Sequence, residues 1–95
     1  MLDKVKMALQ IATNLFDDEI NASIETAKKD LGLGGVTNDD QEDALICRAI
    51  ISYCAYQFEL LHGNLKRADK LKIAYDEQKS QLGMATGYTD WSSNE

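Results

Sequence analysis

The sequence predicts an all-α protein, a compact bundle of about four helices, and three observations carry that expectation. None of the 95 residues is proline, the residue that most reliably breaks a helix. Apolar side chains recur at three- and four-residue spacings over long stretches, the period of a helix with one covered face. Glycine and asparagine gather at a few points between those stretches, where helices end and begin.

Leu2, Val5, Leu9, Ala12 and Phe16 share one stripe and place the first helix at roughly 2–13. Asn14, Asp17 and Asp18 then offer a break and an N-cap, with acidic residues suited to the positive end of the next helix dipole. The second helix, roughly 18–31, sets Ile20, Ile24, Ala27 and Leu31 on one side. "GLGGVTNDD" ends it, with Gly32 placed as a left-handed C-cap and Asn38 to Asp40 as caps for the third helix. That third helix is the long one, roughly 40–62, closed by Gly63. Asn64 caps the fourth, roughly 64–82, and so short a break makes the pair an antiparallel hairpin. These four helices form a single domain at 1–82, and residues 83–95, "GMATGYTDWSSNE", are small and polar and are expected to be a flexible tail.

Composition narrows the function. The chain is 44% hydrophobic and 27% charged, ordinary for a globular protein. A net charge of −6 and a pI near 4.6 set its field against nucleic acid and anionic membrane. "MLDKVKMALQIATNLF" carries charges at positions 3, 4 and 6 and lacks the apolar run of a secretory signal. No stretch is expected to reach the ~20 apolar residues of a membrane span. The expectation is a soluble, cytoplasmic chain with no membrane partner.

Cys47, Ile50, Ile51, Cys54, Phe58 and Leu61 form one apolar stripe of the third helix. At 1.5 Å per residue the two cysteine Cα atoms stand roughly 10 Å apart. A disulfide needs less than about 7 Å, so they do not pair with each other. Further soft ligands are missing, since the sole histidine, His62, lies two turns beyond Cys54. The thiols read as buried packing groups and His62 as a helix-terminal cap. "GLGGV" is not followed by the Lys-Ser/Thr of a phosphate loop, and "DDEI" and "NDDQED" lack the glycine-centred spacing of a calcium loop. We therefore expect no catalytic residue, no metal and no cofactor, and a protein that is not an enzyme.

What remains is surface. On nearly the opposite face of the third helix, Ile46, Ala49, Tyr53, Tyr56 and Leu60 make a second apolar and aromatic stripe. A helix apolar over most of its circumference must be covered over most of it, by its own bundle or by a neighbouring subunit. Ile46, Tyr53, Tyr56 and Leu60 are thus a candidate subunit interface, for which tyrosine is well suited. The fourth helix turns Leu65, Ala68, Leu71, Tyr75 and Leu82 inward and carries half of the basic residues. Among its outer residues, Lys66, Arg67 and Lys70 are a candidate charged interface. They form either a solvated, partly salt-bridged face or the complement of an acidic surface on another subunit, such as "DDQED" at 39–43.

Order and spacing of these segments resemble a known family. "LDKVKMALQI" followed by "DDEINASIETAKKDL" resembles the opening of phage head–tail connector proteins, the DNA-packaging adaptors of tailed bacteriophages and prophages. "RAIISYCAYQFELLHGNLKRADKLKIAYDEQKSQLGMATGY" is similar to that family's second half, through Ala49, Ile50, Tyr53 and Phe58, then Tyr75, Asp76, Lys79, Leu82 and Tyr88. The "GLGGVTNDD" loop departs from the pattern. The resemblance implies a compact helical subunit that assembles into a homo-oligomeric ring, about a dozen copies, beneath the portal protein. It implies a ring that extends the DNA channel and docks the tail or a head-completion protein, located in the virion and, during assembly, in the host cytoplasm. DNA would pass through the lumen without specific binding, which an acidic chain favours because basic groups would hold phosphates. Tyr88 and Trp91 become a candidate partner-docking tail. The alternative from the residues alone is a small helical nucleic-acid-binding regulator that uses the basic helix at 65–82.

Overall fold

The computed structural model describes residues 1–33 and 43–84, without the Leu33 side chain, and among them finds four α-helices and no strand. They are α1 (Leu2–Leu9), α2 (Asp17–Leu33), α3 (Ala44–His62) and α4 (Leu65–Met84). The all-α bundle is as expected; several helix ends are not.

Helix α1 stops well short of residue 13. Gln10 takes the left-handed conformation, φ 59° and ψ 40°, and its N–H turns back to Lys6 and Met7 carbonyls. Ile11 N–H donates to Lys6 O at 2.9 Å, which completes a Schellman turn and satisfies the last carbonyls without glycine. Thr13 Oγ1 accepts from Leu15 N–H at 3.2 Å, so the chain bends locally before α2.

Helix α2 begins with Asp17, Asp18 and Glu19 in its first turn, the favourable sign for its dipole. Gly32 is not its left-handed cap. It lies inside the helix, exposed, and a Cβ there would meet nothing. The cap of α3 is Asp43 rather than Asn38 to Asp40, which lie outside the described residues. Asp43 is extended at φ −67° and ψ 128°, and its Oδ1 accepts from Leu45 and Ile46 N–H at 2.9 and 3.3 Å. Asn64 caps α4 as its position predicts, its Oδ1 accepting from Lys66 N–H at 2.8 Å and Arg67 N–H at 3.3 Å. Gly83 and Met84 belong to α4, and residues 85–95, with Tyr88 and Trp91, lie outside the described residues.

Helix α3 is the centre of the bundle. It packs chiefly on α4, then on α2, and more lightly on α1. Val5 from α1, Ile20, Ile24, Ala27 and Leu31 from α2, and Tyr75 and Leu82 from α4 close on Ile46, Ala49, Ile50 and Cys54 of α3. The two apolar stripes of α3 are therefore explained largely within one chain. Against the expectation that no stretch suits a membrane, α3 has the length and composition of a span, 19 residues with a mean hydropathy of 1.3. Its contacts make it a core helix instead. Residues 51–59 are all half-buried or buried against three amphipathic neighbours that bear the chain's charges.

Candidate functional site

The middle of the bundle is closed by one polar cluster. Tyr75 is buried on α4, and its hydroxyl donates to Asp30 Oδ2 at 2.6 Å. Lys79, one turn further along α4, donates from Nζ to the same oxygen at 3.2 Å. Asp30 sits in the last turn of α2, where the helix dipole disfavours an anion, so these two donors are what make the position tolerable. Partial burial pushes the Asp30 carboxyl up, but the Tyr75 and Lys79 hydrogen bonds and the charges of Lys79 and Lys72 outweigh it. The carboxyl ends below its ordinary value. Burial, then the hydrogen bond to the Asp30 anion, drives the Tyr75 hydroxyl far above the ordinary tyrosine range.

Tyr53 of α3 stacks edge-on against Tyr75, with ring centroids 5.1 Å apart, and against Tyr56 at 6.1 Å. Its hydroxyl accepts from Gln57 Nε2 at 3.2 Å, and burial raises its pKa. Of the four residues proposed as a subunit interface, Ile46 is corrected outright: at 1% exposure it is spent in the core of its own chain. Tyr53 and Tyr56 are half-buried, and Leu60 is the one that stands clear, 42% exposed. The periodicity was compatible with either covering, because a stripe does not say which molecule covers it.

One end of the bundle is different in kind. Phe16 at the start of α2 packs edge-on against Phe58, with centroids at 5.3 Å, and also meets the His62 ring. His62 Nε2 lies 2.8 Å and 2.9 Å from the two Glu19 carboxylate oxygens. His62 is therefore not simply a cap: it ties the end of α3 to the start of α2. Lys6 does the same for α1, reaching Asp17 Oδ1 at 2.9 Å and Asn14 Oδ1 at 2.8 Å. A Cβ at Gly63 would meet the Glu59 carboxylate, the far end of a side chain that can swing aside. That carboxylate accepts from Asn64 N–H at 3.0 Å and lies 3.8 Å from Arg67 Nε.

Around this pinned junction large apolar side chains are left in solvent. Leu15 is 80% exposed, Leu61 59% and Leu65 64%. Leu65, expected to face inward, and Leu61, from the apolar stripe of α3, are both exposed. Leu61 also closes a shallow groove between α2 and α3, whose wall includes Ala22, Ser23, Thr26, Tyr53 and Gln57. At the start of α4, Lys66, Arg67 and Lys70 are exposed, and among the described residues Lys66 and Lys70 meet no carboxylate. Further along α4 the basic residues are paired, Lys72 with Asp76 at 2.8 Å and Lys79 with Asp30.

Cys54 is buried, which pushes its thiol up to about 12, and Cys47 is half-buried. Among the described residues no group of His, Cys, Asp or Glu is arranged to hold a metal ion. The polar cluster of Asp30, Tyr75 and Lys79 was missed in the sequence. Its one signal was the four-residue spacing of Tyr75 and Lys79 on a face otherwise read as core.

A sequence profile of phage connector protein matches residues 1–89. Comparison with curated proteins and with solved structures gives no significant match.

Proposed function

The chain belongs to the phage connector protein family, and on that premise we propose that it is a head–tail adaptor that closes into a ring below the portal. As a member it is a structural component of a phage virion that assembles with other virion proteins, and the family is not one of enzymes. The ring extends the DNA channel and offers its far side to the tail or to a head-completion protein, with assembly in the host cytoplasm. The observation that carries this reading is the extent of the family match, which spans all four helices.

The surface supports it. A monomer of this size has little reason to leave Leu15, Leu61 and Leu65 in water at one end of the bundle. Leu60, Tyr56 and the outer edge of Tyr53 continue that apolar surface along α3, so the subunit contact is drawn from them and not from Ile46. Lys66 and Lys70 form its charged rim, a place where ion pairs set orientation more than affinity. A net charge of −6 suits a channel wall that must release DNA.

The exposed cations at the start of α4 favour a second reading, binding of nucleic acid. Light scattering coupled to gel filtration, with and without the portal ring, separates the two. The adaptor reading expects a closed ring at high concentration or on the portal, and no salt-sensitive DNA binding. A stable dimer that binds duplex DNA, and loses it when Lys66, Arg67 and Lys70 become Glu, would overturn it.

A further inference from the structure

Helices α2 and α4 both pack on α3, and they run in the same direction. Both begin at the hairpin end, where Glu19 meets His62 and Arg67 meets Glu59. The last turn of α2 meets the second half of α4 through Asp30, Tyr75 and Lys79. Each helix spends one face on the core, α2 through Ile20, Ile24, Ala27 and Leu31, α4 through Ala68, Tyr75 and Leu82. Away from that face, each carries a line at i, i+4, i+7 and i+11 that is exposed throughout. On α2 the line reads Asp18, Ala22, Glu25, Lys29, and on α4 it reads Lys66, Lys70, Ile73, Glu77. Glu25 meets Lys28 of its own helix at 3.3 Å, and among the described residues the other charges on the two lines meet no opposite charge. Ile73 is 61% exposed among them.

We propose that these two lines are the halves of one contact between successive copies of this chain, α4 of one copy laid parallel to α2 of the next. The proposal rests on the ring reading above and names the complement of its cationic rim. In parallel, Lys66 meets Asp18 and Glu77 meets Lys29. Between those ends Lys70 and Ile73 face Ala22 and Glu25, which adds a third pair of opposite charges and an apolar residue beside a small one. Antiparallel, the same lines bring Lys66 to Lys29 and Glu77 to Asp18, like charges at both ends. A ring whose axis follows the helices gives the parallel arrangement, because rotation about that axis keeps their direction. Each copy also keeps its other line free for a further copy, the head-to-tail contact that closes into rings. The groove beside Ala22 has Leu61 in its wall, and Leu65 heads α4, so the contact is continuous with the apolar end of the bundle.

Charge reversal in two separate chains tests it. Lys66→Glu with Lys70→Glu makes one chain acidic on both lines, and Asp18→Lys with Glu25→Lys makes another basic on both. All four positions are exposed, and circular dichroism checks that each chain folds. In light scattering coupled to gel filtration, with the portal ring present, each variant alone should lose the wild-type ring completely. Mixed in equal amounts, they should form it again with near-equal numbers of the two chains, because every contact then joins an acidic line to a basic one. Lys29→Glu and Glu77→Lys, alone and mixed, repeat the test at the other end of the lines with an independent pair of chains. A ring that either variant forms alone as the wild type does would overturn the contact and leave the adaptor reading standing. So would two folded variants that stay apart when mixed. A wild-type chain that forms no ring, even on the portal, would overturn the adaptor reading and the contact with it.

Discussion

The middle of the bundle and its hairpin end are built from similar residues to opposite effect. In the middle, Tyr53, Tyr75, Asp30 and Lys79 satisfy one another and leave little exposed. At the end, Phe16, Phe58, His62 and Glu19 pin the helices together, yet Leu15, Leu61 and Leu65 around them are left in solvent. The contrast assigns the work. The middle holds the fold, and the end is the surface we propose for the subunit contact. A stripe of leucines and aromatics is therefore not one signal, because where it falls along the helix decides whether its own chain can cover it.

The largest expected effect lies in the middle. Tyr75→Ala removes a fully buried ring and strands Asp30 beside a cavity, which should cost about 3–5 kcal/mol. For a domain with a total stability of roughly 5–15 kcal/mol, that is most of the margin. Urea denaturation followed by circular dichroism checks it. The same change at the end should do far less, and a comparable loss there would break the distinction.

A smaller effect sharpens the chemistry of the cluster. Tyr75→Phe keeps the ring and removes the bond to Asp30, which should cost about 1–2 kcal/mol, allowing for the partial exposure of the carboxylate. Its pH profile follows from the two shifts. Asp30 has a lowered pKa, so its contribution is complete above the ordinary value of 3.8 and is lost as pH falls through the lower folded value. Tyr75 has a raised pKa, so its contribution is complete below the ordinary value of 10.0 and fades as pH rises toward its higher folded one. The wild type should show a plateau between those limits. The phenylalanine variant should lie below it with a shallower alkaline fall, since Tyr53 and Cys54, whose pKa values are also raised, remain, as urea midpoints across pH would show.

The helices and most of the core were legible in the sequence because both follow from periodicity. Ile20, Ile24, Ala27 and Leu31 are all buried, as their spacing requires. Helix ends were less so. Gln10 ends α1 in a conformation that sequence reasoning reserves for glycine, while Gly32 sits in a helix. The covering of the second α3 stripe was not legible. Leu60 is exposed while Ile46 of the same stripe is covered by its own bundle, and Leu61 and Leu65 are exposed although each belongs to an apolar stripe. Those outcomes depend on which neighbour packs against each face, which no single-helix pattern contains. The contacts of His62 with Glu19 and of Tyr75 with Asp30 join residues more than forty positions apart, beyond the reach of local spacing.

The smallest effect on stability is the most telling for function. Leu61→Lys with Leu65→Lys changes two side chains already in water and should move the urea midpoint by no more than about 0.5 kcal/mol equivalent. Light scattering on this double variant, alone and with the portal ring, tests most directly the claim that fold and assembly are carried by different regions. The account predicts a folded subunit that no longer forms the ring. A variant that assembles like the wild type, or one that unfolds, would contradict it.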